Sequence, residues 1–159
     1  MYNFNPRVPI RQIGYAHKIC GYEGDKMTTQ MFVNLPVKDL DRSVDFFKKL
    51  GFEFNPRFTD ENATCMIVGE DNFVMLIVEK FFKTFTPNEI GDSHKNTEVI
   101  VTLSADSRSK VDSMVDMALM AGAKPNGSMD QDGMYERGFQ DLDGHLWEFM
   151  YMDMNAMPS

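Results

Sequence analysis

Two glutamates stand in apolar, strand-forming runs, where a carboxylate needs an explanation. Glu148 lies within residues 146–152, and Glu98 opens residues 98–103. Because successive residues of a strand point to opposite faces, each glutamate shares a face with apolar or weakly polar side chains. These neighbours are Leu146, Met150, Ile100 and Thr102. A carboxylate buried without a partner is costly, so we expect both glutamates on the pocket side of a sheet.

Three kinds of site would accommodate this pair of carboxylates. They could be solvated at the mouth of a cavity or paired with a cation, for which Arg137 on a neighbouring strand is a candidate. They could hold Mg²⁺, Mn²⁺ or Ca²⁺ weakly, since these ions accept oxygen donors and retain water. They could also share a proton, which would raise the pKa of one carboxyl for acid–base chemistry.

The first half of the chain predicts the order β-α-β-β-β. Residues 30–37 alternate as a strand does, and residues 38–51 carry apolar side chains at helical spacing. Asp39 suits the N-cap of this helix and Gly51 the position after its end. Three more strands are predicted at residues 52–58, 63–68 and 73–79.

The second half repeats that order, which indicates an internal duplication. A strand is predicted at residues 98–103 and a helix at residues 107–121, closed by Gly122. Further strands are predicted at residues 124–129, 135–140 and 146–152. Each unit alone would leave one face of its sheet uncovered, so we expect an α+β protein in which two βαβββ modules surround a shared cavity.

The domain boundaries follow from these patterns. Residues 1–26 have no periodicity and carry much of the basic excess, so we interpret them as an N-terminal extension, a tail or a partner-binding arm. Residues 27–159 form a single domain. It consists of module one (residues 30–79), a connector (80–96) that contains a short helix around residues 81–85, and module two (97–152).

Composition excludes several classes of function. The net charge is -8 and no lysine or arginine cluster occurs, which disfavours binding to nucleic acid. No apolar run is long enough to cross a membrane. The cysteines, Cys20 and Cys65, match no disulfide framework or zinc motif, so we expect unlinked thiols in the cytoplasm.

The pocket is expected to be apolar with a carboxylate end. Fourteen of the 159 residues are methionine, whose flexible thioether can line a cavity for varied ligands. A flat or amphipathic small molecule, neutral or cationic, would suit such a pocket. The expected lining residues are Phe32, Asn34, Leu76, Ile100, Thr102, Tyr135, Arg137, Phe139 and Met150.

Two stretches carry a family resemblance. Residues 35–52 read Leu-Pro-Val-Lys-Asp-Leu-Asp-Arg-Ser-Val-Asp-Phe-Phe-Lys-Lys-Leu-Gly-Phe, and residues 141–148 read Asp-Leu-Asp-Gly-His-Leu-Trp-Glu. The chain resembles the vicinal oxygen chelate superfamily, which includes glyoxalase I, bleomycin- and fosfomycin-resistance proteins and extradiol dioxygenases. The resemblance spans about residues 30–152 and implies paired βαβββ modules, a cupped mixed sheet around a pocket and commonly a homodimer.

The resemblance also implies where a metal would bind. In metal-dependent members, the first and last strands of each module supply the ligands. Those positions match Phe32 and Leu76 in module one, and Glu98 and Glu148 in module two. Phenylalanine and leucine side chains offer no donor atom to a metal, so half of the usual metal site is missing. No cofactor is therefore expected. The alternative is that the two glutamates hold Mg²⁺, Mn²⁺ or Ca²⁺ weakly.

Two functions of different classes follow. The first is a metal-independent small-molecule binding protein of the drug-sequestering kind found among bleomycin-resistance proteins. The second is a lyase, isomerase or dioxygenase-like enzyme in which Glu98 and Glu148 are catalytic and use a weakly bound divalent ion. In either case the expected partners are a small-molecule ligand and a second copy of the chain.

Overall fold

Two four-stranded mixed sheets with the same strand order make up the protein, in a computed structural model that describes residues 29–156. The first sheet contains β1 (Met31–Val37), β2 (Glu53–Asn55), β3 (Ala63–Ile67) and β4 (Asn72–Val78), and the second contains β5 (Ile100–Ser104), β6 (Lys124–Gln131), β7 (Met134–Gln140) and β8 (Leu146–Met152). The orders are β1-β4-β3-β2 and β5-β8-β7-β6, with the first and last strand of each module paired in parallel. The duplicated α+β fold expected from the sequence is confirmed.

Each module contributes one long helix, and both begin at the predicted caps. Helix α1 (Leu40–Lys49) starts after Asp39, whose carboxylate accepts a 3.0 Å hydrogen bond from the backbone N–H of Arg42. A single turn, α2 (Glu79–Phe82), follows β4, and α3 (Arg108–Met120) starts after the N-cap Ser107. These caps satisfy backbone donors that the first helical turn leaves free.

Both helices and both sheets share one hydrophobic core. Phe47 of α1 packs on Trp147 of β8 with ring centroids 4.9 Å apart, and Phe46 lies 6.1 Å from Phe139 of β7. Helix α1 therefore contacts the sheet of the other module as well as its own β4. Because the core covers one face of the second sheet, the opposite face, here called the open face, is free to form a site. Its residues are Ile100, Thr102, Ser104, Met129, Gln131, Met134, Glu136, Gly138, Gln140, Leu146, Glu148, Met150 and Met152.

Three predicted elements differ in extent. The strand expected from residue 98 begins at Ile100, so Glu98 precedes it. The strand expected at residues 52–58 ends at Asn55, where a 3-10 helix (Pro56–Phe58) takes over because its proline cannot continue a ladder. The helix expected around residues 81–85 is the turn Glu79–Phe82. The expectation for residues 1–26 lies outside the described residues, and in the described part of the chain no helix is long and apolar enough to cross a membrane.

Candidate functional site

Glu148 lies in the middle of the open face, as the alternation of β8 predicts. Trp147 and Phe149 on either side of it are buried in the core, at 1% and 5% exposure. The parallel register places Thr102 of β5 directly beside Glu148, and the Thr102 hydroxyl donates a 2.7 Å hydrogen bond to Glu148 Oε2. This bond engages one carboxylate oxygen, and within residues 29–156 no hydrogen bond engages Oε1.

The carboxylate next to Glu148 is Glu136 of β7. Glu136 pairs with Met150, and Gly138 pairs with Glu148, so the two glutamates are diagonal neighbours on one face. Burial, and secondly the charge of Glu148, raise the pKa of Glu136. The Glu136–Glu148 pair was not predicted from the sequence, because only the register between β7 and β8 brings the two residues together.

Gly138 keeps the space beside Glu148 free of a side chain. A Cβ on Gly138 would lie 2.7 Å from the carbonyl oxygen of Asn126 and 3.3 Å from Cγ of Glu148. The first distance is shorter than real contacts allow, because β6 has a register shift between Pro125 and Ser128 that brings Asn126 over β7. Glycine is therefore required at this position by the backbone of β6.

A cavity of about 360 Å³ lies where the two modules meet, and we call it the seam cavity. Asn34 and Pro36 of β1 form one wall, and Leu146 of β8 belongs to the other. Glu98, at the start of module two, also lines the seam cavity. The connector supplies most of the remaining lining, which includes Thr86, Asn88, Ile90, Ser93, Asn96 and Thr97.

The turn of residues 141–145 fixes the two modules against each other beside this cavity. Asp143 accepts hydrogen bonds from the backbone N–H of Lys38 (3.0 Å), from Arg42 Nη2 (2.8 Å) and from the Ser43 hydroxyl (2.7 Å). His145 Nε2 lies 2.7 Å from the carbonyl oxygen of Pro36, which requires a proton on that nitrogen. These contacts join residues about a hundred positions apart in sequence and set the width of the seam.

Asp141 stabilises the turn from inside module two. Its carboxylate accepts bonds from the backbone N–H groups of Asp143 and His145 and from Nε1 of Trp147, all at 2.9 Å. Burial raises the pKa of Asp141, while these donors and the nearby His145 act in the opposite direction. The acidic turn is thus a structural anchor, and its carboxylates are engaged within the protein.

The connector lies directly on this turn. Gly144 has φ +99°, and a Cβ there would lie 2.7 Å from the backbone nitrogen of His94. Hydrogen bonds within the connector hold its shape, among them those from the backbone N–H groups of His94 and Asn96 to Asp92. The contact at Gly144 seats the connector as the outer wall of the seam cavity.

The expected pair of Glu98 and Glu148 is not the pair that the structure forms. Glu98 precedes β5, four residues before Thr102, and lines the seam cavity. Glu148 is not part of that lining and has Thr102 and Glu136 as its polar neighbours. The parallel register of β5 and β8 places Thr102 beside Glu148 and leaves Glu98 four residues away along the chain. A joint role of the two carboxylates therefore stays a prediction.

Four expected pocket residues face the core or α3 instead. Leu76 and Phe139 are both fully buried on the helix-packed faces of their sheets. Tyr135 donates its hydroxyl proton to Asp112 of α3 at 2.7 Å, and Arg137 bonds Asp112 and Asp116, also on α3. Their placement in the pocket was wrong, and Arg137 cannot pair with the carboxylates of the open face. These bonds lower the pKa of Asp112.

The other expected residues lie away from the core. Ile100, Thr102 and Met150 are on the open face, and Asn34 lines the seam cavity. Phe32 is 46% exposed on β1 and stacks on Phe73 with ring centroids 4.9 Å apart. Their part in binding stays a prediction. The connector residues of the cavity wall were missed, because a segment without periodicity gives no sign of where it packs.

The donor set does not fit the metal that the superfamily resemblance implies. Glu136 is the carboxylate next to Glu148 on its face. The other neighbours there, Thr102, Ile100 and Gly138, supply neither nitrogen nor a further carboxylate. The side of β4 that would face a site carries Phe73, Met75 and Ile77 in place of the expected Leu76, again without a charged donor. Within residues 29–156, no group of three or more His, Cys, Asp or Glu side chains is arranged to hold an ion.

Comparisons with known proteins agree with this architecture. Residues 29–69 match the family described as bleomycin resistance protein-like N-terminal. No curated protein sequence matches the chain. A hypothetical protein from S. aureus is similar at 29% identity and a TM-score of 0.68, over 79% of this chain and 95% of that chain.

Two further solved structures, both of named families, share the fold at lower identity. A glyoxalase/bleomycin resistance protein/dioxygenase family enzyme from Burkholderia phytofirmans PsJN has 13% identity and a TM-score of 0.64, over 77% of this chain and 97% of that chain. The fosfomycin resistance protein FosX from Listeria monocytogenes has 15% identity and a TM-score of 0.60, over 84% of this chain and 100% of that chain. With its duplicated βαβββ modules, the chain has the fold of glyoxalase, bleomycin resistance and dioxygenase proteins, and its residues 29–69 match the bleomycin resistance protein-like family.

Proposed function

We propose that this protein binds a small organic molecule without a metal ion and that it acts by sequestering the molecule. The ligand occupies the seam cavity and extends onto the open face of the second sheet. The observation that carries the proposal is the seam cavity itself, which is formed by both modules and has the size of a small-molecule site, about 360 Å³.

The cavity and the open face share Leu146. Leu146 lines the cavity, and Glu148 lies two residues further along the same face of β8. Two residues of a strand span about 7 Å. A ligand of moderate length can therefore place one end beside Asn34 and Glu98 and the other beside Glu148.

The polar groups of the site favour a neutral or cationic ligand. The lining of the seam cavity contains amides, hydroxyls and two glutamates, and it contains no lysine or arginine. Glu89 is paired with Lys83 at 2.7 Å. An anionic ligand would lose its hydration without gaining a cation, which costs free energy. An amphipathic molecule with an apolar body, neutral or carrying an amine, suits both the cavity and the methionine-rich face.

A second copy of the chain is part of the proposal. Phe32 on the first sheet and Ile100 on the second are both 46% exposed, although large apolar side chains are usually covered. Pairing two copies so that these faces meet would enclose the ligand. Light scattering should give the mass of a dimer, and a stable monomer at micromolar concentration would contradict this part of the proposal.

The competing function is an enzyme that uses a weakly held divalent ion. The observation that favours it is the Glu136–Glu148 pair, since two adjacent carboxylates and water can hold Mg²⁺ or Mn²⁺. The catalytic role first assigned to Glu98 and Glu148 belongs to this alternative. Unchanged turnover in a Glu98→Gln/Glu148→Gln double variant would refute this enzyme hypothesis.

Filling the seam cavity with a large side chain tests whether the ligand binds there. Thioflavin T is a flat organic cation, and its fluorescence reports binding. Asn34→Trp would place an indole in the cavity, and we expect at least a tenfold loss of affinity for the dye. Met120→Trp is the matched control, because Met120 is 80% exposed on α3 and is not part of the cavity lining. Equal affinity in the two variants would refute binding in the seam cavity.

A further inference from the structure

The chain contains a single Asn-Gly dipeptide, Asn126-Gly127, and the structure places it in an irregular part of β6. The pairing of β6 with β7 shifts its register between Pro125 and Ser128. Asn126 and Gly127 therefore both stand opposite Gly138. Two residues opposite one form a β-bulge, in which the regular ladder of hydrogen bonds is interrupted.

Asparagine is a chemically labile residue, and this dipeptide can react without a cofactor or an enzyme. The backbone nitrogen of Gly127 attacks Cγ of Asn126, the Cγ–Nδ2 bond breaks, and ammonia leaves with the proton of the Gly127 N–H. The product is a cyclic imide, a succinimide. Glycine favours this attack because no Cβ screens its nitrogen.

Water then opens the succinimide on either side of its nitrogen. Opening at Cγ gives an ordinary aspartate at position 126. Opening at the former backbone carbonyl gives isoaspartate, in which the main chain runs through the former side chain of Asn126. Both products replace a neutral amide by a carboxylate, and isoaspartate also lengthens the backbone by one methylene group.

The bulge leaves both reacting groups accessible. β6 is the last strand of its sheet and pairs with β7 alone. Gly127 is exposed, and a Cβ built on it would meet no atom within 4 Å. Asn126 is half-buried, and in the described part of the chain its side-chain amide makes no hydrogen bond that would hold Cγ away from the nitrogen. A bulge on an edge strand also opens locally at a lower free energy than a paired central strand.

We propose that Asn126 is a site of spontaneous deamidation in the folded protein and that isoaspartate is the product that loosens β6. The carbonyl oxygen of Asn126 lies against Gly138, where an added Cβ would be only 2.7 Å away. An extra methylene at this point moves that carbonyl or shifts the register of one flank of the bulge. The reaction is independent of the ligand proposed above, because it needs only the chain and water.

Mass spectrometry of peptides from protein aged at pH 8 measures the reaction. We expect Asn126 to convert at least tenfold faster than Asn88 and Asn96, which are also accessible but precede glutamate and threonine. Fragmentation of the backbone should show more isoaspartate than aspartate. Asn126→Gln is the matched control, because its longer side chain would have to close a larger ring, and it should stay intact over the same time. Equal rates at the three asparagines would overturn the proposal.

A comparison with the unfolded chain separates the effect of the bulge from that of the dipeptide. In guanidinium chloride the strand is absent and Asn126 reacts at the rate of a free Asn-Gly pair. We expect the folded protein to convert at a rate within tenfold of this value. A folded rate that is lower by more than tenfold would show that β6 protects Asn126, and it would overturn the proposal.

The effect on β6 is measured by urea denaturation of the isolated isoaspartate form. Asn126→Asp is the matched control, because it carries the same added charge on an ordinary backbone. We expect the isoaspartate form to unfold at a lower urea concentration than Asn126→Asp. Equal midpoints for the two would refute the loosening of β6.

Discussion

Asp143 should hold the two modules together, and its removal should cost several kcal/mol. Its side chain is 4% exposed and accepts three hydrogen bonds from module one. In Asp143→Ala, the backbone N–H of Lys38 loses its acceptor at a partly buried position and the Ser43 hydroxyl at a buried one. The Ser43 hydroxyl can turn to the carbonyl oxygen of Asp39, which lies 3.0 Å away, so its loss is partly compensated.

The magnitude follows from these contacts. The bond to Arg42 contributes about 1 kcal/mol at most, because the Arg42 side chain is 45% exposed. The unsatisfied N–H of Lys38 costs about 1–3 kcal/mol. We therefore expect Asp143→Ala to lower the free energy of unfolding by about 2–4 kcal/mol. Asp143→Asn should cost only about 1 kcal/mol, since its oxygen can serve Lys38 and Arg42 while its NH₂ donates to Ser43.

Urea denaturation followed through Trp147 measures both values. Trp147 is the single tryptophan of the chain, is 1% exposed and contacts Phe47 of module one, so its fluorescence reports separation of the modules. Asp106→Ala, at an exposed position before α3, is the control and should change stability little. If Asp143→Ala matched this control, the turn would not join the modules and the explanation of the seam would be refuted.

Three further predictions test the placement of individual residues. Phe139→Ala should lower the free energy of unfolding by about 3–5 kcal/mol, because the ring is fully buried; a change below about 1 kcal/mol would contradict its place in the core. Gly144→Ala should displace the connector and weaken thioflavin T binding, because its Cβ would lie 2.7 Å from the nitrogen of His94. Gly69→Ala is the control and should bind the dye normally, because its Cβ meets no atom closer than 3.4 Å and Gly69 is not part of the cavity lining. Glu148→Gln should lower the pKa of Glu136 measured by carboxyl NMR, because the charge of Glu148 raises it. A carboxyl whose pKa is raised by folding makes the folded state lose stability as the pH rises above the unfolded pKa of about 4.3. Glu136→Gln should therefore stabilise the protein more at pH 7 than at pH 4. Equal stabilisation at the two pH values would refute the raised pKa of Glu136.

Much of the fold could be predicted because its signals are local. The apolar spacing of α1, its cap Asp39 and the alternation around Trp147 and Glu148 each depend on a few neighbouring residues. The repeated order of strands then indicated the duplication. Such patterns report which side chains share a face, since strand and helix periods differ.

The site was harder to predict because it depends on pairing between distant strands. Every residue from Phe73 to Val78 is apolar, so alternation could not show that Leu76 faces the core. In β7, Arg137 was a candidate partner of the two glutamates, but its partners are aspartates on α3. The Glu136–Glu148 pair arises from a register that no local pattern encodes.

The most direct test of the proposed function is whether ligand binding needs a metal. Protein dialysed against EDTA and protein resupplied with Mn²⁺ are titrated with thioflavin T, and the bound manganese is measured by mass spectrometry. We predict the same Kd in both samples and no stoichiometric manganese, because the open face offers too few ligands. Binding that appears only with one manganese per chain, and is lost in Glu148→Gln, would contradict metal-independent binding and establish the enzyme as the better hypothesis.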